Sequence, residues 1–153
     1  MIHIPLIISN PKLYPEGGND RCFLLSSRLI ADLAKVPNFN QYCKGTSVVP
    51  VINDPTTSVQ DSILFTYDDV FFLPADVPSG HIRAIREGDW TYAVYYSEDG
   101  SHFEYEMYNS KEDPYQLRNL LYKDVTLEIT KEANRLHLKL KEKIDQSNAL
   151  PKD

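Results

Sequence analysis

His81, Arg83 and Arg86 sit in one short stretch, His81-Ile-Arg-Ala-Ile-Arg86. A guanidinium offers two parallel donors to sulfate, phosphate or carboxylate. Residues two apart on a strand share a face, so His81 and Arg83 form the candidate substrate-binding pair for an anionic ligand. The alternative is that Arg83 and Arg86 pair with acids inside the fold. Asp68-Asp69 is a second candidate, since paired carboxylates can hold a divalent cation. Neighbouring strand residues point to opposite faces, which favours a solvated strand end instead.

Other chemistry is absent from the pattern. His3, His81, His102 and His137 are scattered and make no H-x-x-x-H or H-E-x-x-H pair. Cys22 and Cys43 are too few for a disulfide scaffold or an all-cysteine zinc site. They can pair with each other or stay free. No G-x-S-x-G elbow is present, and Gly17-Gly18 is not a phosphate loop. No catalytic residue and no metal ligand are therefore assigned to the chain.

Composition narrows the class. The 153 residues are 42% apolar and 25% charged, as in an ordinary globular domain. A net charge of -6 disfavours a nucleic-acid partner. No run approaches the roughly 18 to 20 apolar residues that span a bilayer. The start, Met-Ile-His-Ile-Pro-Leu-Ile-Ile, lacks the basic leading region and cleavage site of a secretory signal. It reads as a buried strand at residues 4–8, whose apolar edge invites self-association or a place inside a larger sheet.

The positioning elements follow from periodicity. Ser26 or Ser27 caps a short helix through about Lys35, with Leu29, Ile30, Leu33 and Ala34 on its apolar face and Pro37 at its end. Val48 to Ile52 forms a turn or a single helical turn. Ile63 to Tyr67 is a strand. His81 to Arg86, Trp90 to Tyr96 and His102 to Tyr108 alternate as an antiparallel meander, joined by turns at Glu87-Gly88-Asp89 and Glu98-Asp99-Gly100-Ser101. A final helix runs from about Leu127 to Gln146, with Ile129, Ala133, Leu136, Leu140 and Ile144 as its buried stripe. Its outer face, including Glu132 with Arg135 and Lys141 with Asp145, reads as solvated with weak ion pairs.

Several stretches carry a family resemblance. His81-Ile-Arg-Ala-Ile-Arg-Glu-Gly-Asp-Trp-Thr-Tyr, then Tyr105-Glu-Met-Tyr-Asn, then Glu112-Asp-Pro-Tyr-Gln-Leu-Arg-Asn-Leu120 resemble the C-terminal signature of type I sulfatases. Ile4-Pro-Leu-Ile-Ile-Ser-Asn-Pro11 resembles that family's P-L-I-I strand. Residues 26–37 with Gly45-Thr-Ser-Val-Val-Pro50 resemble the helix and turn that follow it. Thr91 and Met107 depart from the family's usual Lys and Leu, Gln116 stands where Glu or Thr is usual, and Ser27-Arg28 stands where its D-x-x-P-T motif is common.

The resemblance implies an α+β fold. A small antiparallel sheet of about four strands packs on a C-terminal helix over 61–153. A strand and helix over 1–60 remain from a larger α/β sulfatase domain. It implies the C-terminal portion of a sulfuric ester hydrolase of the alkaline phosphatase superfamily. The family's nucleophile motif, matured to formylglycine, and its calcium ligands lie upstream of the P-L-I-I strand. Neither Cys22 nor Cys43 has that context. The chain is thus expected to be inactive alone and to hold no cofactor, with calcium and formylglycine belonging to the parent. The parent's partner would be a sulfated small molecule or glycan, and its place a periplasm, a lysosome or the extracellular space. Two other readings stand beside this one. One makes the parent a phosphoester or phosphonate hydrolase; the other makes the chain a stand-alone, non-enzymatic binding or structural module.

Overall fold

The computed structural model describes residues 26–38, 46–54, 56–68, 80–97 and 99–147. The expected strand at residues 4–8, both cysteines and Asp69 lie outside the described residues. The chain divides into two compact units, Met1–Gln60 and Asp61–Asp153.

In the first unit, α1 (Ser26–Leu33) packs against the single-turn helix α2 (Val49–Asn53). Leu29 and Ala31 of α1 are buried, as are Val48 and Val51. The apolar face expected for α1 is only partly right, because Ile30 is 66% exposed and Leu33 is also exposed. Successive helical residues are about 100° apart. The arc through Leu29, Asp32 and Ala31 turns inward, and Ile30, Leu33 and Ala34 fall on the other side. The helix also stops earlier than expected. Lys35 takes φ +54° while the Val36 N–H reaches the Ala31 carbonyl at 2.9 Å and the Lys35 N–H reaches Asp32 at 3.1 Å. This is the Schellman ending, which satisfies the last carbonyls just before Pro37.

The second unit is α+β. Its strands β1 (Ser62–Asp68), β2 (His81–Glu87), β3 (Trp90–Tyr96) and β4 (Phe103–Asn109) form one antiparallel meander in the order β1-β2-β3-β4. The β2–β3 connection holds only Gly88 and Asp89, since Glu87 pairs with Trp90. Gly88 takes φ +54° at the first loop position, where a tight hairpin demands a left-handed residue. Gly100 does the same in the next turn, at φ +66°.

Alternation sends one set of side chains toward α3 (Leu127–Ser147). Ile85, Tyr92, Val94 and Met107 form the core with Leu136 and Leu140, and Ile129, Ala133 and Ile144 pack beside them. Every residue of the expected helical stripe is in this cluster. The Thr126 hydroxyl caps α3 by accepting from the Ile129 N–H at 3.2 Å.

The charged face of α3 differs from a merely solvated surface. Arg135 does pair with Glu132, at 2.7 and 3.0 Å. It also reaches Glu87, and Lys139 bridges Glu87 and Asp61. These pairs tie the helix to the ends of β1 and β2. The carboxyl of Glu87 is held below its usual value, first by Arg135 and then by Lys139.

The segment after β4 closes that edge of the sheet. Asn119 Oδ1 accepts from the N–H of Met107 at 3.1 Å and of Leu121 at 3.0 Å. Its Nδ2 donates to the Tyr105 carbonyl at 3.0 Å, and the Leu120 N–H donates to the Met107 carbonyl at 2.9 Å. Asp113 supports the approach by accepting from the Arg118 N–H at 2.8 Å. Replacing Asn119 by Ala removes three hydrogen bonds and strands backbone groups of β4. We expect a loss of about 2–3 kcal/mol. A lowered urea midpoint at unchanged m-value checks it; a loss within about 0.5 kcal/mol, as at an ordinary surface site, would show that water serves the edge equally well.

Candidate functional site

Strand register gathers the candidate residues. Asp68 pairs with His81, His81 with Tyr96, and Tyr96 with Phe103, so these four form one row across all four strands. The next row is Thr66, Arg83, Val94 and Tyr105. Both rows lie on the α3 side of the sheet, beyond the single row of Leu64, Ile85, Tyr92 and Met107 that packs into the core. His81 and Arg83 therefore do share a face. Arg86 is on the other one.

Asp68 is the hub of the cluster. Its Oδ1 accepts from Arg83 at 2.8 Å and its Oδ2 accepts from the second arm of the guanidinium at 3.1 Å. The same Oδ1 lies 2.6 Å from His81 Nδ1. Arg83 also donates to the carbonyls of Ile82 at 2.9 Å and Tyr67 at 3.3 Å. Tyr96 lies against both side chains: its ring stacks on His81 at 5.0 Å and lies 5.6 Å from the Arg83 guanidinium carbon. Phe103 extends the stack at 6.0 Å.

Exposure divides the roles. The Arg83 residue is 3% exposed and His81 8%. The Asp68 side chain is 41% exposed. Phe103 is half exposed. Arg83 thus takes the internal partner that the sequence offers as the alternative to a ligand, and that partner is Asp68. Asp68 is correspondingly not a bare strand end. Among the described residues, no group of three or more His, Cys, Asp or Glu side chains is gathered to hold a metal ion. They do not fit the calcium expected of a sulfatase parent.

Tyr96 and Phe103 were hidden in sequence among other strand aromatics. Only the row they share with His81 distinguishes them. Elsewhere in this unit an open groove of about 480 Å³ is lined by Trp90 and Ile129 together with Glu112, Glu128 and Glu132. Its acidic rim opposes an anionic ligand.

No model of a protein family matches the chain, and no curated protein matches it. Solved structures do. The chain is similar to BT4656, seen in complex with its substrate D-glucosamine-2-N,6-O-disulfate: 25% identical, TM-score 0.60, over 80% of this chain and 24% of that one. It also shares the fold of the Bacteroides thetaiotaomicron protein BT33494S-sulf, from work on the metabolism of multiple glycosaminoglycans. That match has 21% identity and TM-score 0.52, over 77% of this chain and 26% of that one. BT4656 is thus a protein whose substrate is a sulfated sugar. The chain spans about a quarter of the length of each of the two. Among the described residues no helix is long and apolar enough to cross a membrane.

The Asp68 carboxyl is held below its ordinary value, chiefly by the Arg83 hydrogen bond and further by His81. A lowered carboxyl stabilises the fold fully above its unfolded value, and that contribution is lost as pH falls through the folded value. Asp68→Asn leaves the buried guanidinium without its counter-charge, and we expect it to cost about 2 kcal/mol near neutrality, reduced from a fully buried pair by the exposure of Asp68. Urea unfolding followed from about pH 7 to about pH 3 should show the two proteins converging at the acid end. Parallel curves would mean that the carboxylate charge contributes nothing.

Proposed function

We propose that this chain is the C-terminal portion of a sulfatase, a sulfuric ester hydrolase, and that it does not turn over substrate by itself. The observation that carries this reading is the structural match to BT4656, over most of this chain and a quarter of that protein. The four-strand meander with its packed helix, and the ordered motifs from His81 to Leu120, support it from the sequence side. The parent acts on a sulfate ester of a small molecule or glycan, and works in a periplasm, a lysosome or outside the cell.

The chemistry of such a parent would be covalent: a nucleophile would take the sulfuryl group as the alcohol leaves, and inorganic sulfate would be released in a second step. Formylglycine would supply the nucleophile and calcium the charge stabilisation. Both would belong to the parent outside this chain. What this chain contributes is the polar row at one end of its sheet. His81 and Arg83, locked by Asp68, form its substrate-side cluster. Their geometry is fixed before a ligand arrives, so ordering them costs little on binding.

Two assays test the reading together. An antibody raised to this chain should detect, in source cells, a band several-fold larger than 17.6 kDa. Material immunopurified from that band should hydrolyse an aryl sulfate in the presence of calcium, while the purified 153-residue chain gives no turnover above blank. Turnover by the chain alone, or a large native protein without sulfatase activity, overturns the proposal.

A further inference from the structure

We infer that the Asp68–His81 edge reads the hydroxyl groups of a sugar ring, with Phe103 as its stacking surface, and does not read the sulfate. The inference rests on the sulfatase reading above for the choice of a sugar.

Exposure and hydrogen bonding separate these side chains. Arg83 is the residue whose chemistry suits a sulfate, yet it is 3% exposed. Both arms of its fork are spent on the two oxygens of Asp68, and the first arm also serves two carbonyls. A sulfate would have to displace Asp68 to reach it. The charge presented to solvent is instead the Asp68 carboxylate, its side chain 41% exposed, which repels an anion. Beside it, His81 has Nδ1 committed to Asp68 at 2.6 Å. Among the described residues Nε2 has no partner. A carboxylate on Nδ1 fixes the ring's orientation and leaves Nε2 for a ligand.

A carboxylate acceptor next to an imidazole nitrogen suits vicinal hydroxyls. One hydroxyl donates to Asp68 in a charge-assisted bond, and its neighbour meets Nε2. Phe103 stands in the same row, half exposed, and its stack on Tyr96 holds the ring in place. An aromatic face of this kind covers the C–H face of a ring at little entropic cost. Arg83 is a positioning residue in this arrangement: it fixes Asp68 without touching the ligand.

The test uses the whole chain with its histidines labelled with 15N, titrated with neutral N-acetyl-D-glucosamine, with D-glucosamine-2-N,6-O-disulfate and with sodium sulfate. Both sugars should shift the Nε2 signal of His81, with half-saturation within roughly threefold of each other. Sodium sulfate should leave it unmoved. Asp68→Asn should raise the half-saturation of both sugars roughly tenfold. Phe103→Ala, a change at a half-exposed site, should raise it several-fold without moving the urea midpoint. A His81 response to sodium sulfate, a response to the disulfate but not the neutral sugar, or none to either sugar overturns the inference. None of these results bears on the sulfatase reading, which stands or falls on the aryl sulfate assay of the native protein.

Discussion

Arg83 carries a fixed charge on the same sheet face as Ile85, two residues away in the same strand. Alternation allows no other placement, and Ile85 must point inward because α3 covers that face with Leu136 and Leu140. The guanidinium is consequently drawn into low dielectric, where an unpaired charge costs several kcal/mol. Asp68 answers that constraint, and much of the site follows from it. Both oxygens of Asp68 are engaged by the fork, which fixes the carboxylate. The fixed carboxylate sets His81 through Nδ1. Tyr96 then lies over both His81 and Arg83, and Phe103 stacks on Tyr96.

The same economy of roles explains the conspicuous C-terminal motif. Asp113 and Asn119 belong to the stretch Glu112-Asp-Pro-Tyr-Gln-Leu-Arg-Asn-Leu120, and a reader looking for catalysis would give its polar residues a chemical task. Their hydrogen bonds go to backbone instead. An edge strand exposes a ladder of unpaired donors and acceptors, and Asn119 supplies one of each from a single side chain. This part of the sulfatase-like signature therefore marks how the sheet is finished.

Much of the second unit was legible because its periods are clean. The strands β2, β3 and β4 and the stripe of α3 follow from alternation and from the i, i+4, i+7 rule, and the two-residue Gly88-Asp89 turn fixes the β2–β3 register. The β1–β2 register was not legible. Residues 69–80 intervene, and no turn chemistry sets which residue of β1 faces His81. The pairing of Asp68 with His81 and Arg83 was hidden for that reason alone. In α1 the failure was different: four apolar residues within eight positions define two possible faces, and burial chose the one through Leu29 and Ala31. Ion pairs from α3 were underestimated because Glu87 and Asp61 are remote in sequence from Arg135 and Lys139.

The two ends of the sheet differ in what they tolerate. A seven-residue strand at about 3.4 Å per residue separates the row of Asp68 from the row of Trp90 by roughly 20 Å. That is about twice the screening length near 0.1 M salt, so each end acts on a ligand by its own charges. At the Trp90 end, Glu112, Glu128 and Glu132 face a groove and Arg135 offsets only one of them. At the Asp68 end the Asp68 carboxylate is matched by the Arg83 guanidinium, with the His81 imidazole beside them. For a chain of net charge -6, pairing Asp68 with Arg83 weakens the repulsion of an anionic ligand at this end relative to the acidic groove. On the inference above, a sulfated sugar would dock here with its sulfate away from Asp68 and its hydroxyls toward it.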